Sequence, residues 1–186
     1  LAQAGAEGTA PLGAALEALR AAQSDAEREV AGNAVHAQFK DRPGSVVTPA
    51  RLEPVERLLF DTKASFEVRL IAKGILQGLH PLPPALLVRL RAQMLAESPS
   101  GISTRIFDVL FSHYGDYPAT EDEALAMSRS RDLNDRHFGV ILLGKRFPFS
   151  RRAAARLREL ARLEENESIR GRSEEHTSEL QSRYVI

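Results

Sequence analysis

LEPVERLLFDTKASFEVRLIAKGILQGL, Leu52 to Leu79, is the stretch that decides the fold. Its first half places Leu52, Val55, Leu58 and Leu59 at the three- and four-residue spacing of one helical face. Its second half is apolar around most of its circumference: Phe66, Val68, Leu70, Ile71, Ala72, Ile75, Leu76 and Leu79. A surface helix needs one buried stripe, so this helix is expected to pack on several sides, as a helix between stacked neighbours does. Arg69, Lys73 and Gln77 recur every four residues and are expected to form a narrow exposed line along it.

The same helix-turn-helix punctuation extends in both directions. Upstream, Leu12, Leu16 and Leu19 mark a helix near Pro11 to Ala22, and Ser24 with Glu27 reads as a capping box opening a second helix to about Phe39. Pro43 and Gly44, within Asp41 to Ser45, break this pair from the next, which Thr48 and Pro49 open as N-cap and first-turn proline. Downstream of the His80 to Pro84 break, Leu86, Leu87, Leu90 and Met94 predict a helix over Ala85 to Ala96. A Pro99 to Gly101 turn follows, then Ile102 to Tyr114 with Ile106, Phe107, Leu110 and Phe111 as its apolar stripe. Thr120 to Met127, opened by Thr120 and Glu123 in capping-box spacing, and Asp135 to Phe147 make a fourth pair. Ser150 onward, with Leu157, Leu160 and Leu163, begins a fifth. The expected fold is all-α, a solenoid of stacked antiparallel helix pairs with an incomplete last repeat, in units of about 10–43, 48–80, 83–117, 120–149 and 150–171.

Individual residues of the Leu52 to Leu79 stretch resemble a HEAT repeat: Pro54 in the first helix, Asp61 in the turn, Val68-Arg69 opening the second helix, and Ala72 one turn on. Other units keep parts of the pattern, in Thr104-Arg105, in Asp132 with Arg136 and Gly139, and in Asn166 with Ile169-Arg170. These arginines stand 36, 31 and 34 residues apart, an irregular period. The tetratricopeptide pattern, of similar period, calls for a Trp, and the chain has none. The resemblance implies small residues that let helices approach closely and Asp–Arg pairs linking successive turns. It also implies an extended partner-binding face formed by second helices, here with Arg69, Lys73, Gln77, Arg105 and Ser112.

The final residues read differently. RSEEHTSELQS, Arg172 to Ser182, resembles the translation of a common Illumina-type sequencing adapter, so 172–186 is expected to be a non-native tail on a fragment of a longer bacterial protein. The foreign sequence starts where the fifth unit's second helix should open. The face carrying Leu157, Leu160 and Leu163 is therefore expected to be partly uncovered. Residues 1–9 read as a lead-in, and Leu1 to Ala4 has the small-x-small spacing of a signal-peptide remnant, which leaves cytoplasmic and periplasmic locations open.

Composition narrows the function. Of 186 residues, 43% are apolar, as a packed globular chain requires, and the 25 basic residues balance the 25 acidic ones, so no global field selects nucleic acid or an anionic membrane. Cysteine is absent, which removes disulfides, thiolate nucleophiles and Cys-ligated zinc. The longest apolar runs, such as Val140 to Leu143, are far too short to span a bilayer. His36, His80, His113 and His137 lack metal-site spacing, and the phosphate-loop, dinucleotide and nucleophile-elbow motifs are missing, so no metal, cofactor or catalytic residue is expected. Glu121, Asp122 and Glu123 at a helix start read as dipole complementation, and the His113 to Tyr117 loop as a packed connector. Arg146, Arg151, Arg152, Arg156, Arg158 and Arg162 form the one basic concentration. Interleaved Glu159, Glu164 and Glu165 and the scarcity of aromatics, Phe147 and Phe149 apart, make it a poor nucleic-acid surface. The expected role is a non-catalytic scaffold for protein partners. The alternative is a helical-repeat nucleic-acid-binding protein or DNA glycosylase-like enzyme.

Overall fold

The structure, a computed structural model, describes residues 9–40, 49–98 and 100–184. Leu1 to Ala4, the Asp41 to Ser45 break, Thr48 and Pro99 lie outside the described residues. The described chain is all helical: α1 Thr9–Ala21, α2 Asp25–Lys40, α3 Pro49–Phe60, α4 Phe66–Gly78, α5 Pro84–Ala96, α6 Gly101–Ser112, α7 Glu121–Met127, α8 Leu133–Arg146, α9 Arg151–Leu163 and α10 Glu167–Tyr184. It divides into two compact units, Leu1–Leu86 and Leu87–Ile186.

In the first unit α1 pairs with α2 and α3 with α4, and the pairs stack in two layers, α1 on α3 and α2 on α4. The expected capping box opens α2: the Ser24 amide donates to the Glu27 carboxylate at 3.0 Å, and the Glu27 amide to the Ser24 hydroxyl at 3.3 Å. Serine again starts α4, where Ser65 Oγ accepts from the Val68 amide at 3.3 Å. Leu12, Leu16, Leu19, Val35, Leu52, Val55, Leu58, Leu59, Val68, Ala72, Ile75 and Leu76 form the core. Burying each large aliphatic of this set contributes about 1.5–3 kcal/mol. Pro54 sits inside α3, and the peptide between His80 and Pro81 is cis.

The second unit is built around α8. This helix packs on α6, α7, α9 and α10, with α9 also against α10 and α7 against α9. All seven residues from Phe138 to Gly144 are buried, the consequence of having neighbours on every side. Two glycines permit that packing. A Cβ on Gly139 would lie 2.3 Å from the Ser128 amide nitrogen and 2.7 Å from the Met127 carbonyl carbon, so only glycine lets α8 come this close to the end of α7. A Cβ on Gly144 would lie 2.2 Å from the imidazole of His176. The helix starts are chemically marked: Ser100, Thr120, Asp132 and Ser150 are N-caps, and Thr120 with Glu123 completes a reciprocal capping box.

Arginine–carboxylate pairs link successive elements, with members partly different from those expected. Arg91 of α5 grips the buried carboxylate of Asp135 with two bonds of 2.6 and 3.0 Å. Arg136 reaches Glu164, in the turn of the next pair, at 3.1 and 3.4 Å. Asp132 caps α8 and accepts from Ser98 Oγ. In the first unit Arg20 meets Asp61 at 3.5 Å.

One expectation needs correction. Leu163 is exposed at 74%, as predicted for a face without a partner helix, but Leu157 and Leu160 are buried. The tail residues continue α10, which packs on α9 and α8 and buries Ile169, Ser173 and His176. Residues at i, i+4 and i+7 share a helical face, so small or half-apolar side chains there suffice to close most of the gap.

Candidate functional site

The five residues expected to line a partner surface fall on α4 and α6, one in each unit. Arg69 is buried, at 8% exposure, and its Nε donates to the Leu59 carbonyl at 2.7 Å. Its guanidinium thus satisfies a carbonyl at the end of the preceding helix, where a cation also complements the helix dipole. The same use recurs in the second unit: Arg136 Nη1 donates to the Ser130 carbonyl at 2.8 Å, and Arg170 Nη1 to the Glu164 carbonyl at 3.3 Å. Three of the four motif arginines, Arg69, Arg136 and Arg170, are therefore turn-closing residues, and the exposed Arg69/Lys73/Gln77 line is not formed, with Lys73 and Gln77 half-buried. On α6, Ser112 Oγ donates to its own helix at the Asp108 carbonyl, 2.9 Å away. Arg105 is exposed, 3.5 Å from Asp108.

What the second unit does present is aromatic. Ile106 and Leu110 are buried, but Phe107 is half-buried and Phe111 is 40% exposed, so the apolar stripe of α6 is wider than its buried face. The rings of Phe107 and Phe111 stand 6.2 Å apart, and the His137 imidazole of α8 stacks on Phe107 at 5.1 Å. Burial, and secondarily the charge of Arg172, holds the His137 pKa below its usual value and favours the neutral ring. The Phe107/Phe111 spacing of four was visible in the sequence, but nothing there separated core from surface aromatics.

The remaining candidates resolve individually. His36 and His80 are exposed, while His113 and Tyr117 are buried. The Tyr117 ring packs edge-on against Phe138 at 5.0 Å, and Arg146 donates to the Tyr117 carbonyl, so the loop is a packed connector. Arg152 bonds Asp122 at 2.5 Å, and Arg156 bonds the Ser128 carbonyl at 2.6 Å and Glu159 at 2.8 Å. The acidic cluster is spent on local structure: Glu123 caps α7, Glu121 accepts from Ser150 Oγ, and Asp122 holds Arg152. Hydrogen bonds from the Thr120 amide and then its hydroxyl hold the Glu123 carboxyl below the usual carboxylate range. In the first unit an apolar groove of about 590 Å³ lies between α1 and α2, with Ala15, Ala18, Ala22, Ala26 and Val30 in its lining.

Among the described residues no helix is long and apolar enough to cross a membrane. The fold defines a class, an all-α protein of stacked helix pairs. Compared with known proteins, the chain matches no family model, no curated sequence and no solved structure.

Proposed function

We propose that this chain is a non-catalytic protein-interaction scaffold built from HEAT-like helical repeats. The observation that carries the reading is the half-exposed aromatic group Phe107, Phe111 and His137, set across two stacked second helices of the second unit. Exposed aromatics on a rigid helical layer supply large contact area at low entropic cost, which is what binding hot spots are made of. Phe107, Phe111 and His137 all lie ahead of Arg172, whose guanidinium borders the group at 5.9 Å from the Phe111 ring centroid. Stacked helix pairs suit the role because each pair fixes its neighbour and so presents a continuous face. The runner-up, a nucleic-acid-binding or glycosylase-like protein, is less well supported: of the basic concentration, Arg146, Arg152 and Arg156 are committed to protein acceptors, and the exposed Arg151, Arg158 and Arg162 are bordered by the exposed Glu159 and Glu165.

The test is selection of a displayed peptide library against the folded chain, followed by titration of enriched peptides against Phe111→Glu and Phe107→Ala. Peptides that bind at micromolar Kd or tighter and lose at least about tenfold with either variant support the reading. A library that yields no binder, or binders indifferent to both substitutions, refutes it.

A further inference from the structure

Helix α9 carries five arginines, and they fall into two sets. Arg152 and Arg156 lie toward α7 and are bonded there. Arg151, Arg158 and Arg162 are exposed, and no hydrogen bond or ion pair among the described residues holds any of them. At 100° per residue these three fall within about 40° of one another and directly opposite the buried Ala153, Leu157 and Leu160. They make one straight line, with steps of about 10 Å and about 6 Å along the axis. An apolar side chain stands at the N-terminal end: Phe149, in the turn before α9, is 73% exposed.

We propose that this outward line of α9 is a docking stripe for an acidic segment of a partner protein, one whose carboxylates recur one and two helical turns apart. The inference rests on the scaffold reading and deepens it by naming a second surface and the chemistry of its partner. Two features select a discrete acidic segment over a polyanion. The stripe is one helix wide and is bordered by Glu159 and Glu165, both exposed, so a broad polyphosphate surface lies over carboxylates it repels, whereas a single helix or strand fits between them. Phe149 also offers apolar anchorage that a sugar-phosphate backbone does not use but a polypeptide does. Elsewhere in the same unit Arg91, Arg136, Arg152 and Arg156 all meet carboxylates.

The experiment is fluorescence anisotropy on the full chain at physiological salt. The probes are a labelled helical peptide carrying glutamates at matching one- and two-turn spacing with terminal Leu and Phe, and a DNA duplex of about twenty base pairs. The peptide is expected to bind, to weaken at least about tenfold in the R151Q/R158Q/R162Q triple variant, and to weaken severalfold in Phe149→Ser. All four side chains are exposed, so the variants keep the helical circular dichroism of the parent. Absence of peptide binding, binding unchanged in the triple variant, or tighter binding of the duplex than of the peptide overturns the proposal. Phe107→Ala and Phe111→Glu separate this inference from the scaffold reading: they leave the α9 peptide unaffected while abolishing library-selected binders. Failure of one set with survival of the other shows which surface is wrong.

Discussion

Replacing Gly139 with alanine tests how closely α8 rests on α7. The added Cβ would sit 2.3 Å from the Ser128 amide nitrogen, 2.7 Å from the Met127 carbonyl carbon and 2.8 Å from Met127 Cβ. Ordinary contact needs about 3.4 Å or more, so the end of α7 must retreat by about 1 Å, and two of the three obstructing atoms are backbone that no rotamer change can move. Overpacking of this kind costs about 1–3 kcal/mol and belongs here at or above the top of that range. Alanine's better helix propensity returns about 1 kcal/mol, leaving a net loss of about 2 kcal/mol or more. In a chain of this size each kcal/mol moves Tm by about 2–4 °C, so Gly139→Ala should melt about 4–8 °C below the parent. Gly74, inside α4 with nothing within 4 Å of its added Cβ, is the control: Gly74→Ala gains about 0.5–1 kcal/mol from the same propensity. Thermal and urea unfolding followed by circular dichroism read both. Equal stability of Gly139→Ala and parent, or a loss in Gly74→Ala matching that in Gly139→Ala, would refute the close-approach reasoning.

Removing Arg91 strands a carboxylate that is 3% exposed, so Arg91→Met should cost about 3–5 kcal/mol in urea unfolding, with Asp135→Asn milder because the Arg91 guanidinium it leaves unpaired is 27% exposed and can be solvated. Thr120→Ala deletes half of the α7 capping box and should lower stability by about 1 kcal/mol, most visibly as faster amide exchange in the first turn of α7. Burial depresses the pKa of both His137 and His176 below 6.5. The unfolded chain therefore takes up these protons first, and stability is intact above about pH 6.5 and declines as pH falls below it. A pH series of unfolding curves should show that decline, and the H137Q/H176Q double variant should flatten it.

The elements legible in the sequence were those fixed by local chemistry. Ser24 with Glu27 and Thr120 with Glu123 announced two helix starts through side chains that reach only three residues, and the capping geometry is as expected. Gly139 was readable as a close-approach position through the small residue that the HEAT-like pattern places after Arg136, whereas Gly74, equally inside a helix, meets nothing within 4 Å. Arg69 was misread for a nonlocal reason. Periodicity placed it in line with Lys73 and Gln77, but its guanidinium finds the Leu59 carbonyl ten residues back, and a satisfied arginine tolerates burial. Phe107 and Phe111 sat in one apolar stripe with Ile106 and Leu110, and only the packing of α8 decides which of the four is left at the surface. The closure over Leu157 and Leu160 was not expected because residues from Arg172 on read as a foreign tail, and the face that Ile169 shares with Ser173 and His176 is too polar to signal burial by periodicity.

The most direct test of the stacking account is native-state hydrogen exchange on the full chain beside a version ending after residue 149. If helix pairs are held by their neighbours, loss of α9 and α10 strips protection from α8, above all from Phe138 to Gly144, and leaves α1 to α4 protected as before. Protection of α8 that survives the truncation, or a collapse of protection in α1 to α4 along with it, would contradict the account.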